Sequence, residues 1–419
     1  MKKFNPMKKL ISAVLCTVMA FSAVAGVGVV ESPFDMTVSS YAAETELKLN
    51  KTEKDMLPYY YYTMTDTEKS NYLKFRKGIM EQKSSIKLGK LTEQEVDKLM
   101  HTAGYYDDLA FNITGIEYEI GSSYTKIVPK YKFSKTSYIK MINALDKKAA
   151  SINAKFTEKT STYAKIKYIH DYVIKSCTYT LDAQTGDYAY GALVAKKADC
   201  DGYARAFSYL CRSAGIWTVN VIGDTGELHM WNKVYYNKKW YNVDVTNDDC
   251  GDILKDGIQY IYFMITDKQI SSTHKVSKCE YTIPSATDPS KSYYKKYNLS
   301  ASTASEAKSI LISQIAAGAE KGKGVVTIQM PDNASYNSVV NYLEKNDSEA
   351  LFSILASAAK KTKAKLVTNG CQSYGDPGTR TYTVCYFIKG KNMTDYYVSL
   401  SEIDRSTRDF LKQLGLKEA

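Results

Sequence analysis

Apolar positions recur with a helical period in two N-terminal stretches, Thr65 to Gln82 and Thr92 to His101. Ala110 to Ile120 and Tyr124 to Phe133 read instead as strands, with Gly121-Ser122-Ser123 as the turn between them. Two further helices are expected, Ser137 to Asn153 and Ser161 to Lys175, the second with Ile166, Ile169 and Val173 on one face. Leu181 to Asp199 has no period. A helix then runs from Cys200 to about Ala214: Ala204, Phe207, Leu210, Cys211 and Ala214 recur at helical spacing, and Gly215 is a natural stop. Thr218 to Ile222 is short and β-rich, and Gly223 to Gly226 is a turn. His229 to Tyr236 and Lys239 to Val245 follow as two strands joined near Asn237-Lys238.

The C-terminal part alternates. Thr303-Ala304-Ser305-Glu306 is a capping box that opens a helix. Gly324 to Met330 reads as a strand ended by Pro331-Asp332, Ser335 to Leu343 and Ala350 to Lys361 as helices, and Lys363 to Thr368 and Thr381 to Ile388 as strands. A last helix is expected to open near Ser399. Such alternation predicts an α/β sandwich of about 120 residues. The polar stretch 288–298 is read as a linker. The expected division is 1–43, 44–135 (a mixed α/β region), 136–287, the linker, and 299–419; no internal repeat is present.

The N-terminus points to export. Lys2, Lys3, Lys8 and Lys9 precede a mostly apolar run from Leu10 to Val30, with small-residue cleavage patterns at Ala23-Val24-Ala25 and Ser40-Tyr41-Ala42. That order of features is a secretory signal peptide; a retained anchor is the alternative, since the run is nearly long enough to span a bilayer. No later segment is long and apolar enough to do so. Removing residues 1–43 removes four lysines, one glutamate and one aspartate and leaves a net charge of +9. A cationic exported protein is drawn to anionic surfaces, so cell-wall polymers are expected partners. No lysine/arginine block is dense enough to indicate nucleic acid. Among 419 residues there are 36 Tyr against 12 Phe and 3 Trp, which suits broad half-exposed surfaces.

Seven cysteines remain after residue 43: Cys177, Cys200, Cys211, Cys250, Cys279, Cys371 and Cys385. An odd number in an exported protein leaves at least one thiol unpaired. Cys371 with Cys385, and Cys250 with Cys279, could form disulfides. Cys211 lies on the apolar face of its helix and reads as core. Cys200 differs, because it sits at a predicted helix N-terminus, where free N–H groups and the macrodipole favour a thiolate. A base must come from four histidines. His101 and His170 lie on predicted helices among ordinary neighbours, and His274 in a polar loop after a strand. His229 opens a strand of the hairpin. If Asn237-Lys238 is a two-residue loop, Tyr236 pairs with Lys239, His229 lies opposite Thr246, and Asp244 is its diagonal neighbour. If the loop is Tyr236-Asn237, His229 faces Asp244 directly. Either register puts both side chains on one sheet face, whereas a three-residue loop would separate them.

These segments resemble the transglutaminase-like superfamily. Residues 198–216 (ADCDGYARAFSYLCRSAGI) are similar to its nucleophile helix, Leu228-His229-Met230-Trp231-Asn232 to its histidine strand, and residues 239–248 (KWYNVDVTND) to its aspartate strand. Tyr190-Gly191-Ala192-Leu193 resembles a lead-in of bacterial members, and residues 262–266 followed by His274 their downstream segment. The likeness spans about residues 155–275. It implies an α+β fold with a papain-like core in 136–287, in which a nucleophile helix packs on an antiparallel sheet. It also implies Cys200 as nucleophile, His229 as general base and Asp244 as orienter, with the Cys200 N–H as an oxyanion donor. Asp199, just before Cys200, departs from the usual small or apolar residue. Its carboxylate would oppose thiolate formation unless it points away or meets a cation, and Asp201 adds to this.

The function so implied is attack on protein or peptide amides to give a thioester, with hydrolysis as the default outcome. Protein cross-linking and a catalytically inactive surface scaffold are the alternatives. No cofactor and no metal centre are expected, since ligand histidines are few and neither HExxH nor a cysteine pair occurs.

Overall fold

The computed structural model describes residues 56–249, 258–279, 281–397 and 403–418. The expected signal peptide, residues 1–43, and Cys250 lie outside them. Among the described residues no helix is long and apolar enough to cross a membrane. The described residues fall into two compact units. The first draws on Met1–Thr160, Tyr179–Met230 and Lys278–Thr282, the second on Ser161–Thr178, Trp231–Ser277 and Ile283–Ala419. Helices alternate with strands along the chain, but the strands pair in antiparallel ladders, an α+β arrangement.

In the first unit, helix α1 (Asp66–Glu81) starts at a capping box in which Thr65 and Glu68 satisfy each other's N–H. After strand β1 (Ile86–Gly89), helix α2 (Glu93–His101) repeats the device with Thr92 and Glu95. Strands β2 (Ile113–Ile120) and β3 (Tyr124–Tyr131) follow, and the sheet order is β1-β3-β2. β1 is not anticipated from its four residues; its pairing of Ile86 with Ile127 across 41 positions makes it a strand. Phe75, Ile79, Val96 and Ile127 form the core beneath the sheet. Beside it, Arg76 Nε donates to Asp107 Oδ2 at 2.6 Å, both side chains almost wholly buried. Asp107 also accepts from the Tyr72 hydroxyl and, at 2.8 Å, from the Leu109 N–H.

Helix α3 (Lys135–Asn153) completes the first stretch of this unit. Helix α4 (Thr162–Ser176) belongs to the second, with Ile166, Ile169 and Val173 buried on the expected face. The chain returns to the first unit for helix α5 (Cys200–Ser213) and strand β4 (Thr218–Asp224). Strand β5 (Leu228–Tyr236) starts in the first unit and continues in the second, where it pairs with β6 (Lys239–Val243), and β6 pairs with β7 (Phe263–Ile265). Tyr236 pairs with Lys239, so the loop is Asn237-Lys238. Both loop residues have positive φ, 50° and 62°, which marks a two-residue hairpin turn matched to strand twist. The first of the two registers considered above is the one adopted. The polar stretch 288–298 is not extended: Pro289–Lys291 and Tyr293–Lys296 are short helical turns, and Tyr294 is buried beside Ile261 and Leu299.

The C-terminal stretch packs helices α6 (Ala304–Glu320) and α7 (Asn333–Ala359) on strands β8 (Val325–Gln329), β9 (Gln372–Asp376) and β10 (Thr381–Cys385), ordered β8-β10-β9. Helix α8 (Arg405–Gln413) follows; the start expected near Ser399 lies outside the described residues. Two expected helices are one, Asn333–Ala359, which runs on through the polar stretch 344–349 with Ser348 at φ 70° inside it. Lys363 to Thr368 is not a strand, apart from a single bridge from Leu366 to Ile388. Cys371 and Cys385 are free thiols, which corrects the expected bridge. Gln372 is the residue opposite Cys385, and Cys371 packs with Tyr382, Val384 and Tyr386 against the helices. Side chains alternate along β10, so Cys385 points to the other face. Cys279 is also a thiol, 2.9 Å from the Tyr106 hydroxyl, so it is not bridged to Cys250.

Candidate active site

The N-terminus of α5 is held by local chemistry. Asp199 is the N-cap, and its Oδ1 accepts from the Gly202 N–H at 3.1 Å. Gly202 is required there: a Cβ would sit 2.0 Å from the Gly186 carbonyl oxygen. That close approach brings the neighbouring Asp187 up to the helix start. At the other end, Gly215 adopts φ 76°, its N–H reaches the Arg212 carbonyl, and the Ile216 N–H reaches that of Cys211. This is a Schellman stop. Every residue from Asp201 to Arg212 is buried, so Cys200 stands at the half-exposed tip of a helix clamped on all sides. Cys211 is wholly buried, as expected of a core residue, and burial pushes its thiol far up.

The acidic neighbours behave differently from the expectation. The Cys200 thiol lies 3.9 Å from Asp201 Oδ1. Burial pushes Asp199 up to about 8, reinforced by Asp201 and by a shared hydrogen bond with Asp187. Burial also raises Asp201, against the opposing pull of the Arg205 and His229 charges. Asp199 therefore turns back onto the helix and keeps its proton at neutral pH, and it does not set a full negative charge against a thiolate. The His229 imidazole thus acts electrostatically on Asp201, the residue beside Cys200.

A stability consequence follows. Asp199 releases its proton near its ordinary value of 3.8 when unfolded and only near 8 when folded. Its contribution is complete below pH 4 and is lost as pH rises to 8, by at most about 1.4 kcal/mol per pH unit. Asp199→Asn keeps a good N-cap and has no proton to lose. In urea unfolding between pH 5 and 7.5, the wild type should lose stability relative to this variant; parallel pH curves would disprove the proton assignment.

The second constellation lies in the hairpin. His229 and Trp231 share one face of β5, two residues apart. Asn232 pairs with Val243, so Asp244 is the residue just past the ladder, in phase with that face. Both Asp244 oxygens are engaged. Oδ1 accepts from the N–H groups of Thr246 and Asn247 at 3.0 Å each, and Oδ2 from Asn247 Nδ2 at 2.8 Å. Oδ2 also lies 2.8 Å from His274 Nε2. His274 was read as a polar-loop residue; it is buried, with its ring against Trp231 and Tyr262. Sequence reasoning gave it no role, and the only pointer was its place in the downstream segment. His170, read as an ordinary helix residue, is also buried, 3.1 Å from Asp171 and 3.2 Å from Asp248. Burial alone would lower it, but these two carboxylates raise it, and Asp248 in turn accepts from the Tyr262 N–H.

Under the hairpin, Trp231 Nε1 donates to Asn242 Oδ1 at 3.2 Å, and Asn242 Nδ2 to Asp267 at 2.8 Å. Lys233 Nζ lies 2.7 Å from Asp267 and 2.6 Å from the Pro284 carbonyl. This buried network fixes β5, β6 and β7 in register. The hydrogen bonds already made by both Asp244 oxygens and both His274 ring nitrogens suit an anchored carboxylate better than an ion's ligand.

Residues 150–245 match the model of the transglutaminase-like superfamily. Over 64 residues the chain is 39% identical to the kyphoscoliosis peptidase of Mus musculus, a match that covers 12% of this chain and spans a tenth of that protein's length. Among solved structures it is similar to a TGase (15% identity, 53% of this chain and 66% of that one, TM-score 0.25). It is also similar to a protein provisionally titled a cysteine protease from Cytophaga hutchinsonii (12% identity, 42% and 80%, TM-score 0.23). Superpositions that loose carry no weight for the fold. The sequence match carries the likeness: residues 150–245, which include the clamped cysteine helix and its following hairpin, are similar to the transglutaminase-like superfamily.

Proposed function

We propose that this chain is an exported cysteine-dependent enzyme that cleaves protein or peptide amides through a thioester, with Cys200 as nucleophile, His229 as general base and Asp244 as orienter. The observation that carries this reading is Cys200 at the N-terminus of a buried, doubly capped helix, with His229 in charge range of its neighbour. The Cys200 sulfur attacks the amide carbonyl carbon while its proton passes to His229. The tetrahedral oxyanion is met by the Cys200 N–H at the helix start. The imidazolium returns the proton to the departing nitrogen, the C–N bond breaks, and a thioester remains. Water then attacks, giving its proton to His229; the C–S bond breaks, releasing a carboxylic acid and the thiol. Asp244 holds the imidazole tautomer and supports its charge. An amine in place of water would make an isopeptide bond.

Iodoacetamide labelling tests this without a known substrate. Cys211 and Cys385 are buried, and burial pushes Cys385 up to about 12 and Cys371 to about 11, so these thiols should label slowly. Cys200 should label with a midpoint well below the free-thiol value of about 8.5 and lose that advantage in His229→Ala. A Cys200 midpoint near 8.5 in both proteins would favour a non-catalytic scaffold, for which the surrounding Asp187, Asp199 and Asp201 would then be the reason.

A further inference from the structure

Asp244 has a second imidazole partner besides the one its proposed role requires. His274 Nε2 lies 2.8 Å from Asp244 Oδ2, with both side chains wholly buried. A carboxylate only accepts, so Nε2 carries the hydrogen. On the far side of the ring, Nδ1 lies 2.8 Å from Thr273 Oγ1, whose hydroxyl is also 3.3 Å from the Ile270 carbonyl. A neutral ring accepts the threonine hydroxyl hydrogen at Nδ1. A charged ring donates to that oxygen, and the hydroxyl turns to Ile270. Thr273 therefore holds the ring in one orientation in either state. The flanking rings of Trp231 and Tyr262, each 5.0 Å away between centroids, prevent it from swinging.

The effect falls on the carboxylate. Torsion about a carboxylate's last bond is broad and roughly two-fold. The Thr246 and Asn247 N–H groups fix Oδ1, while Asn247 Nδ2 and His274 Nε2 fix Oδ2. Four donors on an otherwise buried carboxylate favour its ionised form. The other carboxylate near this group, Asp248, is engaged by His170 and the Tyr262 N–H.

We propose that His274 is a positioning residue for the chemistry at Cys200: it locks the Asp244 carboxylate in the rotamer and charge state that orient His229. This rests on the Cys200–His229–Asp244 reading above. It acts at one remove, through Asp244, and touches neither substrate nor nucleophile.

The test measures iodoacetamide labelling of Cys200 in the full chain across pH 5–10, read by mass spectrometry, for wild type, His229→Ala, His274→Leu and His274→Gln. His274→Leu should raise the Cys200 midpoint by about one unit. His274→Gln, whose amide nitrogen can occupy the Nε2 position, should restore most of the wild-type profile. An unshifted His274→Leu profile beside a shifted His229→Ala profile would overturn the positioning role and leave the catalytic reading intact. Unshifted profiles in both would overturn both. If circular dichroism shows that the leucine variant does not fold, His274→Asn decides. Its shorter amide cannot reach Oδ2, so a shift like that expected for leucine supports the role and a wild-type profile overturns it.

Discussion

Asp244→Ala is expected to destabilise the folded chain by about 2–5 kcal/mol, because the Thr246 and Asn247 N–H groups, Asn247 Nδ2 and His274 Nε2 lose a shared buried acceptor. The two side chains can seek new partners; the two main-chain donors belong to a turn that the carboxylate itself shapes, and they cannot. Asp244→Asn separates stability from chemistry. Its single carbonyl oxygen can still accept the two main-chain N–H groups, but its NH₂ then meets the Asn247 and His274 donors. The asparagine variant should therefore keep more of the stability than alanine and still lose Cys200 reactivity. In triads of this logic the equivalent change costs on the order of 10⁴ in rate through the wrong imidazole tautomer. Urea unfolding gives the first quantity and pH-dependent alkylation of Cys200 the second. If the asparagine variant labels like wild type, Asp244 is a turn-forming residue and nothing more.

Arg76→Met should have the other large effect, about 3–5 kcal/mol, because it leaves Asp107 buried without its cation. Burial alone would raise Asp107, yet Arg76, Tyr72 and the Leu109 N–H together carry it below its ordinary value. In the wild type this contribution is present above the unfolded value and is lost as the pH falls through the lower folded one. Without Arg76 the sign reverses, since a buried unpaired carboxyl holds its proton and loses stability as pH rises. The difference between the two proteins should be largest near pH 7 and shrink towards pH 4. Unfolding curves at those two pH values check it. A pH-independent difference would mean that Arg76 stabilises through packing of its stem rather than through charge.

Much of the site was legible because its determinants are local. The N-cap at Asp199 and the stop at Gly215 bracket α5 within one residue of the expected span. The hairpin turn and its period-two alternation put His229 and Asp244 in phase, and the observed register is one of the two that allow this. His274 was not legible, because it reaches Asp244 across 30 positions of chain. A histidine in a polar loop carries no periodic signal to reveal that. Helix α7 was divided because the charged residues 344–349 read as a loop; the helix runs from Asn333 to Ala359, with Ser348 at φ 70° in that stretch.

The amino-acid sequence by itself determined most of the helices and the long strands and where α5 begins and ends, and it limited the hairpin to a few registers, two of which put the imidazole and the carboxylate on one face. Hydrogen-bond patterns within a few residues and the period of the apolar positions decide such features. Only the tertiary structure decided that Asp199 keeps its proton, that Cys371 and Cys385 point to opposite faces, and that a second histidine closes on Asp244. Each of these depends on burial and on neighbours distant in the chain, and dielectric and contact are properties of packing that no local pattern encodes.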